Sequence, residues 1–187
     1  MKENKRSIEM WKLIDSQVDS WFDKVVIDVG CGYGNMVYNV LKANCHQVVA
    51  IDNNKAMIDI TKERCKDFIP GRIMYASIDA KNMEEFVRDI GWKMGIMADI
   101  YFCFSMLPYL PPHDRERLIE TMSRTSNMAF IEMQYAGDGP GPKEIKNDAD
   151  MYTWLRTFNF GRIDMIGTTH VEGRNTDRSI WLCERRI

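Results

Sequence analysis

A chain of 187 residues, 45% of them apolar, has the size of one domain and enough apolar material for one substantial core. Lys and Arg number 25 against 27 Asp and Glu, and the resulting net charge of -2 excludes a global attraction to phosphate backbones or anionic membranes. The opening MKENKRSIEM places charge where a secretory signal needs an apolar run, no later apolar run has the length of a membrane span, and the five cysteines form no Cys-x-x-Cys pair, so the expectation is a cytoplasmic protein with reduced thiols and no membrane partner.

Between Ile8 and Phe22, residues Trp11, Ile14, Val18 and Trp21 recur at spacings of three and four, which predicts an amphipathic helix within residues 1–24. Residues 25–187 make up the rest of the domain. Val25 to Val29 is a β-branched run ending in glycines, as suits a strand buried on both faces. Asn35 can cap a helix bearing Met36, Val37, Val40 and Leu41, and Val48 to Ile51 is a second strand closed by Asp52. The alternation repeats with a helix at Met57 to Cys65, a turn at Pro70-Gly71 and a strand at Arg72 to Ile78 closed by Asp79. A helix through Met83, Phe86, Val87 and Ile90 is stopped by Gly91, and Ile100 to Phe104 is a fourth strand. Pro111-Pro112 opens the next helix, which leads to a fifth strand, Met128 to Met133. Such alternation specifies a parallel sheet with helical crossovers. The Gly- and Pro-rich stretch Ala136 to Asp148 reads as a binding loop. A helix from Met151 to Phe158 and strands at Arg162 to Val171 and Ser179 to Cys183, joined by the short link Glu172 to Arg178, predict a closing antiparallel hairpin.

The densest chemical signal is VVIDVGCGYGN, residues 25–35, where Gly30, Gly32 and Gly34 follow a buried strand and precede a helix. Glycines there let backbone pass close to a ligand, and amide N–H groups at the helix start can hold a carboxylate or phosphate. A dinucleotide fingerprint needs its third glycine at position 35, which is Asn35, and Asp28 sets a carboxylate where a pyrophosphate would pass. The pattern suits a cationic ligand without phosphate.

The segment from Asp28 to Gly34 resembles the first motif of the class I S-adenosylmethionine-dependent methyltransferases, acidic-x-Gly-x-Gly-x-Gly. The similarity extends over Val25 to Cys183, because that family has a Rossmann-like, mostly parallel sheet of seven strands, helices on both faces and a C-terminal antiparallel hairpin. It implies S-adenosylmethionine as cofactor, S-adenosylhomocysteine as product, and Asp28, Gly30, Cys31, Gly32 and Gly34 as its cradle. Asp52 occupies the place of the acid that bonds the ribose hydroxyls, with Asn53 and Met57 bordering the adenine. Asp79 matches the acceptor for the adenine amino group, Ile78 and Ala80 flank the ring, and Phe104 and Ser105 fall beneath the methionine part. Asp52 and Asp79 also have ordinary readings as helix or turn caps.

Acceptor chemistry is read by elimination. The positions after the fourth strand are Ser105-Met106-Leu107-Pro108, without the Asn/Asp-Pro-Pro-aromatic motif of nucleobase amino-methyltransferases; Cys103 is not part of a Pro-Cys pair; and no carboxylates stand there to hold a metal. This leaves a small-molecule acceptor as the favoured class, with nucleic acid and protein acceptors and the oligomeric state open. Trp11, Tyr109, His113, Gln134 and Tyr135 are the acceptor-binding candidates, Tyr109 and His113 being also candidates for proton relay. Glu132 stands where it could face the acceptor pocket with Gln134 and Tyr135, and reads more readily as an ordinary strand-end carboxylate. The N-terminal helix is either a lid or packing against the sheet. Two other functions share these features: a non-catalytic S-adenosylmethionine-binding module and a nicotinamide-dependent oxidoreductase.

Overall fold

The computed structural model describes residues 5–94, 98–135, 143–170 and 177–186. Strands β1 (Val25–Val29), β2 (Gln47–Asp52), β3 (Ile73–Ser77), β4 (Ile100–Cys103), β5 (Met128–Glu132), β6 (Phe160–His170) and β7 (Asp177–Arg185) form one sheet in the order β3-β2-β1-β4-β5-β7-β6. The first five run parallel, while β7 is antiparallel to both β5 and β6. The Rossmann-like sheet and its closing hairpin are therefore those the sequence specifies.

Alternation along the strands divides the apolar residues between two layers. Ile27, Val29, Tyr101, Cys103 and Ile131 face α4 (Met83–Met94), α5 (Pro112–Thr125) and α6 (Asp148–Leu155), which contribute Val87, Ile90, Leu118, Met122, Met151 and Leu155. Val26, Val48, Ala50, Phe102, Phe130, Ile180 and Leu182 share the other layer with α1 (Lys5–Asp15), α2 (Asn35–Lys42) and α3 (Lys55–Arg64). All five cysteines are free and buried. No helix among the described residues is long and apolar enough to cross a membrane.

Three boundaries differ from the periodicity. The first helix ends at Asp15 instead of continuing to Phe22: Trp21 Nε1 donates to Asp15 Oδ1 at 2.7 Å and Trp21 stacks on Trp11 with ring centroids 5.1 Å apart, so the chain folds back while keeping its apolar spacing. Gly91 does not stop α4, which continues to Met94; one glycine costs a helix only about 1 kcal/mol relative to alanine. The last helix ends at Leu155, and Phe158 meets Trp154 edge-on from the following turn at 5.1 Å. Of the expected binding loop, residues 136–142 lie outside the described residues. So does most of the hairpin link, residues 171–176, although Asp177 and Arg178 belong to β7 itself.

Helix α1 is built into the layer on the α2 side. Met10 and Ile14 are buried in it, and Leu13 lies where any Cβ on Gly167 of β6 would come within 2.9 Å.

Candidate functional site

Strand order changes direction between β1 and β4, and in open parallel sheets the crevice beyond the carboxyl ends at that point receives the ligand. A cavity of about 350 Å³ lies there, lined by Gly30, Asp52, Asn53, Ile78, Asp79, Ala80, Phe104, Ser105 and Tyr109, together with Val29, Ile51, Met106 and Leu110. Ligand sites occupy about 300–1,000 Å³, so its size fits one small cofactor. Eight of the cofactor-binding residues expected from sequence thus meet in one hollow. The last four were not singled out, because nothing distinguishes a cavity-lining apolar residue from a core one before the loops are placed.

The glycine loop is fastened mainly to the end of β2. Gly30 and Cys31 N–H both donate to Ile51 O, at 2.8 and 2.9 Å, and Gly34 N–H donates to Cys31 O at 2.9 Å. Gly32 N–H donates to Asp52 Oδ2 at 3.0 Å. Three of these amides are taken up by β2 and one within the loop, so they are not free to hold a ligand in this structure. Gly30, at φ +77°, lines the cavity, and a Cβ there would sit 3.2 Å from Met106. Gly34, at φ +70°, caps α2 in place of Asn35, which is already the first helical residue, and a Cβ on Gly34 would meet Thr61 at 2.7 Å. The Cys31 side chain packs inward, its sulfur 3.7 Å from Thr61 Oγ1. Burial, followed by the charge of Asp28, pushes that thiol well above the usual range.

Asp52 is no helix cap. Asn54 caps α3, its side chain accepting from Ala56 N–H at 3.0 Å, while Asp52 Oδ1 accepts from Asn54 N–H at 2.9 Å. Each Asp52 oxygen accepts one backbone bond and retains a lone pair for a hydroxyl donor. Asp79 does cap: its Oδ1 accepts from Lys81 N–H at 3.1 Å, yet it still lines the cavity. Asp28 is 3% exposed beneath the loop, and burial, then the Asp52 charge, raises its carboxyl to about 7. The residues present fit S-adenosylmethionine: a glycine cradle that a Cβ would fill, a free-sided carboxylate for vicinal hydroxyls, and no cationic side chain lining the hollow to oppose a sulfonium.

The acceptor candidates separate. Tyr109 borders the cavity and is 64% exposed, on a connection that buried Arg115 clamps by donating to Leu107 O at 3.1 Å and Leu110 O at 3.0 Å. His113 is exposed in the first turn of α5 and Trp11 is stacked on Trp21; neither lines the cavity, because α5 carries one away and core packing holds the other. Met57, in the first turn of α3, likewise does not line it. Gln134 is buried and accepts from Arg178 Nη2 at 2.8 Å, and Tyr135 donates its hydroxyl to Asp148.

The partners of one residue escaped the sequence reading. Glu132, fully buried at the end of β5, is ion-paired with Arg6 and with Arg178 and accepts from Ser105 Oγ at 2.6 Å. Its only sequence signal is an acidic residue closing an otherwise apolar strand.

A family profile described as "Methyltransferase domain" matches residues 26–127. No curated protein matches the chain. Among solved structures, the chain is similar to the N-methyltransferase NodS from Bradyrhizobium japonicum WM9 in complex with S-adenosylhomocysteine, at 13% identity and a TM-score of 0.72, covering 98% of this chain and 87% of that one. It is similar to a putative RNA methyltransferase, PH1948 from Pyrococcus horikoshii, at 17% identity and a TM-score of 0.67, covering 97% and 83%. It is also similar to the bifunctional kinase-methyltransferase WbdD, at 12% identity and a TM-score of 0.73, and there 94% of this chain spans 39% of that protein. At these identities the structures speak for the fold, and the profile, which covers more than half of the chain, for the family. The protein belongs to the methyltransferase-domain family, with the class I Rossmann-like architecture.

Proposed function

We propose that this chain binds S-adenosylmethionine at the carboxyl ends of β1, β2 and β4 and moves its methyl group to an O, N, S or C nucleophile of a small molecule. The observation that carries this reading is Asp52: a carboxylate at the end of β2, lining a cavity of about 350 Å³ and bonded to the glycine loop opposite. When bound, the cofactor supplies a sulfonium that already activates its methyl group toward direct displacement.

The protein's own work is then placement. Asp52 accepts from the ribose hydroxyls, and Ile78, Asp79 and Ala80 border the adenine. Phe104 and Ser105 support the opposite end, beside the connection bearing Met106, Tyr109 and Leu110. Holding the acceptor atom in line about 3 Å from the methyl carbon can remove ~7–11 kcal/mol of barrier. No cysteine supplies a nucleophile: Cys103, at the end of β4, is fully buried, and burial, then the charges of Asp28 and Glu132, keeps its thiol protonated. This supports in-line displacement without a covalent cysteine intermediate.

Methyl transfer from labelled S-adenosylmethionine to pools of small molecules, run beside an Asp52→Ala variant, tests this reading. Incorporation that the variant lowers supports it. Tight S-adenosylhomocysteine binding with no incorporation into small-molecule, peptide or nucleic acid pools would favour the non-catalytic cofactor-binding module instead.

A further inference from the structure

Arg6 from the first turn of α1, Glu132 from the end of β5 and Arg178 from the start of β7 converge on Ser105, a residue of the cofactor cavity. Ser105 Oγ accepts from Arg6 Nη2 at 3.1 Å and from Arg178 Nη1 at 2.8 Å, while donating to Glu132 at 2.6 Å. Ser105 holds φ +60°, a left-handed conformation that few non-glycine residues adopt and that turns up at ligand-contacting positions. Arg178 is 6% exposed and Glu132 wholly buried, whereas the Arg6 side chain is 22% exposed, so Arg6 forms the open side.

The charges in this cluster do not balance. Among the described residues, Glu132 is the one carboxylate paired with either guanidinium, so two positive charges face one negative charge. The donors are not all used either: Arg6 Nε and Arg178 Nε are both buried without a hydrogen-bond partner. A buried donor left unpaired and a buried charge left uncompensated are each costly, and an anion seated against the two guanidinium groups would relieve the second.

We propose that Arg6 and Arg178 bind an anionic group of the methyl acceptor, a carboxylate or a phosphate. Guanidinium forks match both groups, and Glu132 holds the two forks in place while leaving a net positive charge for the ligand. Ser105 touches both arginines and the cavity, so an anion seated there sets the rest of the acceptor beside the methyl end. The assignment rests on the cofactor reading above, and it adds the chemical class of acceptor.

The test titrates inorganic phosphate, and separately benzoate, into the protein saturated with S-adenosylhomocysteine, following arginine Nε–H resonances by NMR with chloride at matched ionic strength as reference. Saturable displacement of the Arg178 resonance is expected, about tenfold weaker in Arg6→Gln and partly restored in Arg6→Lys, with S-adenosylhomocysteine affinity unchanged in both variants. Tighter phosphate binding assigns a phosphorylated acceptor, and tighter benzoate binding a carboxylate. No saturable displacement with either anion, or equal saturation in Arg6→Gln, overturns the proposal. The same titration without S-adenosylhomocysteine keeps the two readings apart, because failure of that ligand to bind removes the cofactor reading and leaves the anion result standing.

Discussion

Gly32 N–H donates to Asp52 Oδ2 at 3.0 Å, so the carboxylate that ends β2 also fastens the glycine loop that follows β1. In the proposed function Asp52 has two roles in one position: it shapes the cradle and would present its remaining lone pairs to a ribose.

Replacing Asp52 by Ala is predicted to weaken S-adenosylhomocysteine binding by roughly 1.5–3 kcal/mol, through loss of a charged acceptor. Asp52→Asn keeps one acceptor oxygen for two backbone donors, Gly32 N–H and Asn54 N–H, and should fall between wild type and Asp52→Ala. Calorimetry on the folded variants measures both. Wild-type affinity in Asp52→Ala would reduce the residue to a loop fastener.

Gly34→Ala tests whether the loop works through its shape. An L side chain at φ +70° costs roughly 1–2 kcal/mol, and the added Cβ, 2.7 Å from Thr61, adds to that. Urea unfolding should show the loss. Thr61→Ala added to it should recover part of the loss but not all, because the backbone strain remains and Thr61 Oγ1 no longer donates to Gly32 O at 2.9 Å. Full recovery would place the whole cost in the clash.

Asp28 gives the stability a pH dependence of known sign. Its carboxyl is raised from 3.8 to about 7 by burial and by the Asp52 charge, so the folded state holds a proton that the unfolded chain has lost. Its contribution is fully present below 3.8 and is lost as pH rises through about 7, a change on the order of 4 kcal/mol. Asp28→Asn should flatten the fall in unfolding free energy across that window. Parallel pH profiles for the two proteins would assign the dependence elsewhere.

Helix α1 separates two neighbouring isoleucines. Ile14 is fully buried and Ile14→Ala should cost ~2–5 kcal/mol, whereas Ile8 is 41% exposed and Ile8→Ala should stay within about 0.5 kcal/mol. A freely opening lid would make both substitutions cheap, so thermal melting of the pair decides between packing and lid.

The sheet was legible because its signals are local. Each parallel strand is a short apolar run with a helical stripe after it, and Gly30 to Gly34, Asp52 and Asp79 stand at strand ends that periodicity alone locates. Apolar spacing misled where the chain turns back on itself, since Trp21 keeps helical phase while folding onto Trp11. The cluster at Glu132 was not legible at all. Its partners come from positions 6, 105 and 178, and Arg178 sits at the start of a strand whose run was read from Ser179. The order of strands, which sets β7 beside β5, and the packing of α1 against β6 bring them together.

The most direct test of the central claim is a calorimetric comparison of S-adenosylmethionine, S-adenosylhomocysteine and NAD on the wild-type protein. The account predicts dissociation constants in the micromolar range, about -8 kcal/mol, for the first two and little binding of NAD, because Asn35 stands where a dinucleotide loop needs its third glycine. NAD binding as tight as S-adenosylhomocysteine, or tighter, would contradict it.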